Sequence, residues 1–582
     1  MSSVGVKLRQ SWRAMRFGIL LVIYAALTSC VPPASPSPGP TPAAVEKPGP
    51  ITVTIKNPNI ETAIARVLWT DQVDDLDGDI LTLQSCFQNE FISVWSPGFY
   101  VEKIPCNGNA KYEYTVSLRA LSMDNPNYGW MDAYNRALPE LSCATCHENP
   151  DSKVKLNEYG DWKNDGHSSV FVDPYFWNIY TGTNLHGNPA IVDNLGFRLD
   201  YPNENGTCAF CHAPAALPLL QRGTNWAPWN SSWSPGRISV ETEGVTCDVC
   251  HKVRDVKLGA DGRPLGDQPG VLSLDLARPN SGDYLYLGPW PDHQPGVSDS
   301  PGGVKHETAC SPIFGEGKFC AACHYGKFYD TVVYNSYGEW LASNYSKKQI
   351  NGIENPTYRS CQDCHMLPSD PLAQSSAAQR SACSPDNQSF RDFSHNMMKR
   401  DNTGAPVLVE GAATVRKAGA KEQGKIKVTV TVTNTRAGHN LPTDSPLRHL
   451  ILVVEVRDRN DKMLAQVGGD KIQDWGGVGS DPRDYAGKPG AIYANVLKDK
   501  ITNTVPAVSY WNLIVPAWEG SDSRLPPFKD VTSEYWFVAP TRGPVKITAR
   551  LWYRYAFIDV MRQKGWDRPD KLVNWAELIL PE

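Results

Sequence analysis

The sequence predicts a multidomain α+β protein. A central region of short helices and irregular loops is flanked by a small N-terminal β domain and a C-terminal β-sandwich. Three observations predict it. Alternating apolar runs broken by Gly, Pro and Asn turns occupy both ends of the chain. The middle is rich in Gly, Pro, Asn and Asp and shows little periodicity, least of all from Tyr201 to Ser300. That same middle holds five copies of Cys-x-x-Cys-His.

The five copies are Cys143-Ala-Thr-Cys146-His147, Cys208-Ala-Phe-Cys211-His212, Cys247-Asp-Val-Cys250-His251, Cys320-Ala-Ala-Cys323-His324 and Cys361-Gln-Asp-Cys364-His365. This is the attachment signature of c-type haem. Two cysteines three positions apart can form thioethers to the two vinyl groups of one porphyrin, and the next residue presents an imidazole to the iron. A structural zinc site needs a closed set of four ligands, and no partner set accompanies these pairs. Redox dithiols do not need a histidine after every pair. The expected cofactors are five covalently bound haem c groups. Their large apolar bodies would supply much of the core in residues 126–404.

The 582 residues are enough for about three or four domains. A hydrophobic content of 41% and a charged content of 20% belong to an ordinary globular protein, with a net charge of −5. About ten haem propionates would make the loaded protein more acidic. With no basic stripe, a nucleic-acid partner is not expected. Residues 1–30 read as an export signal. Lys7, Arg9, Arg13 and Arg16 precede the apolar run Phe17 to Leu27, which is too short for an ordinary membrane span. The run ends Leu27-Thr-Ser-Cys30, which resembles the lipobox of bacterial lipoproteins, with Cys30 the acylated residue. Residues 31–50, rich in Pro, Ser, Ala and Thr, form an extended spacer. The expected address is therefore the extracytoplasmic face of a bacterial membrane, in the periplasm or at the cell surface. Outside the motifs and Cys30, four cysteines remain: Cys86, Cys106, Cys310 and Cys383. In an oxidising compartment they are candidates for two disulfides, Cys86 with Cys106 and Cys310 with Cys383, although spacing does not fix the connectivity.

Residues 51–125 read as a small β-sandwich, with strands expected at Ile51–Ile55, Phe91–Trp95, Phe99–Ile104 and Tyr112–Leu118. The run Val94-Trp-Ser-Pro-Gly-Phe-Tyr100 resembles the carboxypeptidase-regulatory-like sandwich. Asp71 to Asp79 reads as a solvated acidic turn, because an EF-hand register through Gly78 begins at Val73 and ends at Gln84, without the needed carboxylates. In the central region the first cysteines of successive motifs are 65, 39, 73 and 41 residues apart. That rhythm hints at two paired units, Cys208 with Cys247 and Cys320 with Cys361. From 405 to 582 there are no cysteines. Alternation at Ile426–Val432, the apolar run Leu450–Val456, and alternation at Val545–Leu551 and around Tyr535–Phe537 predict the second sandwich. A short helix is expected at Phe557–Lys564 or in the last stretch before Pro581.

Seven histidines lie outside the motifs: His167, His186, His293, His306, His395, His439 and His449. Five are enough to close every iron. The candidate distal ligands are His167, His186, His306, His395 and His439. His439 follows a strand, where a loop could reach back toward the motifs. His293 reads as an exposed turn and His449 as structural. Met366, Met397 and Met398 are alternative thioether ligands, though methionine in such places is more often core.

The run from Cys143 to Trp162 and His167 resembles the cytochrome c-554 family. So do Gly244-Val-Thr-Cys-Asp-Val-Cys-His251, Phe319-Cys-Ala-Ala-Cys-His324 with Tyr337-Gly-Glu-Trp340, Ser360-Cys-Gln-Asp-Cys-His-Met366 and Gly438-His-Asn-Leu-Pro-Thr443. The resemblance covers about residues 126–450. It implies closely packed, mostly bis-histidine haems and electron relay, with one haem left five-coordinate in some members. A fifth motif and the β regions depart from the small tetrahaem members. The expected function is thus electron transfer between extracytoplasmic redox proteins, with no side-chain acid or base and no catalytic residue. The alternative is an oxidoreductase acting on a small nitrogen or sulfur compound at one open iron, and self-assembly can accompany either. No motif ends in lysine, which separates the chain from pentahaem nitrite reductases.

Overall fold

In the C-terminal region two four-stranded antiparallel sheets face each other. One is ordered Ala413–Glu422, Lys425–Asn434, Asp530–Val538, Gln466–Gly468, and the other Gly490–Tyr493, His449–Arg457, Val545–Arg554, Lys571–Leu580. The period of two puts Val428, Val430 and Val432 of the first sheet against Leu450, Leu452, Val454 and Val456 of the second in one apolar core. The apolar run at Leu450–Val456 does not alternate because its strand is covered on both faces: Ile451 and Val453 pack into a second cluster with Ile472 and Tyr485. The expected helix is found at Ile558–Lys564. The last stretch before Pro581 is instead the ten-residue strand Lys571–Leu580, an edge held by Val545–Arg554.

The structure is a computed structural model. It describes residues 125–134, 142–148, 157–188, 195–204, 206–216, 243–280, 284–289, 306–366, 394–398 and 409–582, together with strands and short segments within 51–121. Residues 1–50 with Cys30, and also Cys86, Cys106, His293 and Cys383, lie outside the described residues. Residues 48–582 make one contact unit.

Near the N-terminus seven short strands make two sheets, Ile80–Leu83, Ile51–Ile55, Glu113–Val116 and Val73–Asp75, Ile64–Val67, Phe91–Trp95, Glu102–Pro105. The stretch read as an acidic turn contributes the edge strand Val73–Asp75, paired with Ile64–Arg66. Tyr100 ties this region to the centre: it packs with Leu285, Leu287 and Ala309, and its hydroxyl donates to Glu307 at 2.7 Å.

The central region has helices of four to eight residues and two-stranded pairings. It is not separable from the sandwich. Leu195 and Val333 share a cluster with Leu447, Leu497, Ile514 and Phe557. Trp566 Nε1 donates to Asn178 Oδ1 at 3.0 Å, and Trp511 Nε1 to Asp200 at 2.6 Å. Among the described residues no helix is long and apolar enough to cross a membrane.

Candidate haem-attachment centres

Each motif folds as one helical turn. In four of them the histidine N–H donates to the carbonyl of the first cysteine: His212 to Cys208 at 3.0 Å, His251 to Cys247 at 2.9 Å, His324 to Cys320 at 3.1 Å and His365 to Cys361 at 2.9 Å. In the fifth, the helix Cys143–His147 spans the motif itself. One turn puts cysteines i and i+3 on the same side. Thr246 caps the third motif by accepting from Val249 N at 3.2 Å. None of the ten motif cysteines is in a disulfide. Cys310 is disulfide-bonded, and its partner lies outside the described residues.

The motifs converge, but not in chain order. The Cys143 side chain lies beside that of Cys247, Cys211 beside Cys323, and Cys320 beside Cys361. Cys250 lies in the electrostatic field of both Cys323 and Cys320. Motif 1 therefore lies beside 3, motif 2 beside 4 and motif 4 beside 5. The spacing rhythm suggested pairing motif 2 with 3 and 4 with 5; the contacts include 4 with 5, but otherwise join 1 with 3 and 2 with 4.

Every motif histidine has an oxygen at Nδ1. His212 meets Val170 O at 3.0 Å, His251 meets Leu287 O at 2.7 Å and His365 meets Met397 O at 3.4 Å. His324 meets the Asp444 carboxylate at 2.9 Å and His147 the Glu158 carboxylate at 3.6 Å. In the four at 3.4 Å or less an acceptor at Nδ1 fixes the tautomer and leaves Nε2 as the atom able to bind a metal, whereas Glu158 is close enough to His147 only for an ion pair. Burial pulls His251 down to about 3 and His365 to about 4, so both imidazoles are neutral at neutral pH. Burial opposes charge on His324 too, but Asp444 outweighs it and lifts that ring to about 9.

Three of the five distal candidates face a motif histidine. Ring centres are 6.2 Å apart for His167 and His324, 6.3 Å for His251 and His395, and 6.3 Å for His365 and His439. Two imidazoles bound through Nε2 to one metal at about 2.0–2.1 Å, with Nε2 about 1.1 Å from the ring centre, would place the centres about 6.3 Å apart. The residues present therefore fit an iron between each pair. The planes cross at 68° in the first pair and at 26° in the other two.

The other candidates are placed differently. His306 stands edge-on to Tyr286, 4.8 Å between ring centres, near motifs 1 and 3. His186 is exposed in a loop where Asn184 Oδ1 accepts its backbone N–H at 2.9 Å, and no ring contact joins it to a motif histidine among the described residues. His449 is fully buried, stacked on Phe557 at 5.0 Å, as expected of a structural residue. His212 is stacked on Phe176 at 3.8 Å.

Three polypeptide devices bring the distal rings in. Asp165 caps His167's helix and also accepts from Met398 N at 2.7 Å, while Asp161 accepts from Ser394 Oγ at 2.7 Å; together they hold the His395 segment beside His167. Gly244 approaches the His167 carbonyl so closely that a Cβ would collide with it, and its φ is +83°. Glu339 accepts from Asn440 N at 3.0 Å and Thr443 Oγ1 at 2.6 Å, and pairs with Arg524 at 2.7 Å, which anchors the loop carrying His439 and Asp444. Sequence reasoning missed Asp165, Asp444 and Glu158. The Asp165-Gly-His167 spacing was a usable signal for the first. Asp444 reaches His324 from 120 residues away, so only the fold reveals it.

No family model matches the chain, and no curated protein matches it. Among solved structures it is similar to a penta-heme cytochrome c552 from Thermochromatium tepidum. That match has a TM-score of 0.50 and 18% identity, covering 75% of this chain and 97% of the other. At that identity the likeness is one of fold.

Proposed function

We propose that this chain is a pentahaem c-type cytochrome that transfers electrons between redox proteins outside the cytoplasm. The observation that carries the reading is the set of three histidine pairs at 6.2–6.3 Å, each containing one motif histidine. When bound, haem c supplies one-electron chemistry at iron. The chain's own residues do the rest. The ten motif cysteines attach the groups. His147, His212, His251, His324 and His365 are the proximal ligands; His167, His395 and His439 are the distal ligands of motifs 4, 3 and 5. His306 and His186 remain the distal candidates for motifs 1 and 2. Convergence of the motifs into one cluster supports a relay, and the c552 fold match agrees with it. The lipobox-like sequence at Cys30 supports a lipid-anchored protein on the extracytoplasmic face of a membrane.

The test is haem stoichiometry. A pyridine haemochrome assay with intact mass on the purified chain is expected to give five covalent haems. Zinc in place of haem, or haem removed by acid acetone, would refute the reading.

A further inference from the structure

Resting on that haem reading, we propose that Asp165 and Asp444 together give the His167–His324 centre a lower reduction potential than the His365–His439 centre. The comparison is internal. In the His365–His439 pair both Nδ1 atoms meet neutral backbone carbonyls, Met397 O at 3.4 Å and Asn440 O at 2.9 Å. In the His167–His324 pair both meet carboxylates, Asp165 Oδ1 at 2.6 Å and Asp444 Oδ2 at 2.9 Å. Ring separation is nearly the same in the two pairs. An imidazole whose Nδ1 proton is shared with a carboxylate is a more basic ligand, and negative charge beside iron favours the ferric state.

Both carboxylates are built in. Asp165 is 2% exposed and is held by the backbone N–H groups of His167 and Met398. Asp444 is held by Ser336, through its N–H at 3.2 Å and its hydroxyl at 2.5 Å. Arg448 also acts on Asp444, but it is one cation against two carboxylates. Asp165 is buried, so its charge is weakly screened.

Position gives this consequence. Cys320 and Cys323 of the same motif touch motifs 5 and 2, and Cys250 of motif 3 is close to both. The carboxylate-flanked centre therefore stands at the junction of three neighbours, and is harder to reduce than the motif 5 centre it adjoins.

The crossed rings give a handle for the test. Axial rings near perpendicular leave the ferric iron's upper d orbitals almost degenerate, which yields a strongly anisotropic low-spin EPR signal. The two pairs at 26° give ordinary rhombic signals. The experiment is a potentiometric titration of the holoprotein at fixed pH, followed by EPR, on wild type, Asp165→Asn and Asp444→Asn. Asparagine keeps an acceptor oxygen for the backbone donors and removes the charge. The strongly anisotropic signal is expected to be reduced after the rhombic signal that His439→Ala removes. Each variant is expected to shift its ferrous-to-ferric ratio at fixed potential at least tenfold, about 59 mV for one electron, while the rhombic signals move less than about twofold. If Asp444→Asn disturbs ligation, Asp165→Asn tests the same claim from the opposite ring. The proposal is overturned if the anisotropic signal is reduced before that His439-dependent rhombic one. It is overturned too if the anisotropic signal stays within about twofold of wild type, or if it disappears in both variants, which would make the carboxylates ring holders only. Absence of low-spin haem from the wild type would instead refute the ligation reading underneath.

Discussion

Glu243 carries a carboxylate to a place that is only 9% exposed, where it accepts from Ala133 N at 2.9 Å. Burial, aided by the nearby Asp132 charge, raises it from 4.5 to about 7. The native state therefore holds the proton more tightly than the unfolded chain. Below pH 4.5 both states are protonated and no penalty exists. The penalty grows as pH rises through 4.5 to 7 and is complete above that, at about 3 kcal/mol from the size of the shift. Glu243→Gln keeps an acceptor for Ala133. It is expected to stabilise the protein against guanidinium by about 1–3 kcal/mol at pH 8 and by little at pH 5. Equal effects at both pH values would refute this account. Gly244 tests the packing beneath His167. Gly244→Ala adds a methyl at φ +83° against a backbone carbonyl. It is expected to lower unfolding free energy by about 1–3 kcal/mol; an unchanged denaturation midpoint would mean the segment yields freely. At this scale the sequence singled out the residues proposed to attach the cofactor, because Cys-x-x-Cys-His is local chemistry. It did not reveal Asp444, Val170 O or Leu287 O, because those partners are chosen by tertiary contacts.

At the scale of elements, the loop between Lys425–Asn434 and His449–Arg457 delivers both His439 and Asp444. The Arg524–Glu339 pair that anchors it is 6% exposed on both sides. Removing one partner of such a buried pair leaves an uncompensated charge. Arg524→Met is expected to cost about 3–5 kcal/mol in chemical unfolding, with Glu339→Gln in the same background recovering part of it. A cost below about 1 kcal/mol would show the pair to be solvated. The reach of this loop toward the motifs was readable from the sequence, since His439 follows a clear alternating strand. The second sandwich was readable for the same reason. The strand Lys571–Leu580 was not: its exposed edge carries a mixed pattern that periodicity does not separate from a helix.

At the scale of the whole molecule, chain order and spatial order differ. Motifs 1 and 3, and 2 and 4, meet across long sequence separations. The 65, 39, 73, 41 rhythm anticipated motifs 4 and 5 as neighbours, but spacing along the chain carries no information on contacts such as 1 with 3 and 2 with 4. The C-terminal sandwich shares a core with the central region and sets His439 against His365. Truncation at residue 404 should therefore damage the fifth centre as well as remove a β domain. Tethering belongs to this scale too. Cys30→Ala is expected to release the protein from sedimented membranes into the soluble fraction with its haem content unchanged. Retention in the pellet would argue for another mode of attachment.

The central claim is that side chains far apart in sequence close single irons from both sides. EPR of the oxidised His439→Ala holoprotein tests it most directly. The expected spectrum loses one rhombic low-spin centre and gains one high-spin ferric centre, with the remaining signals in place. A spectrum identical to wild type would contradict the account.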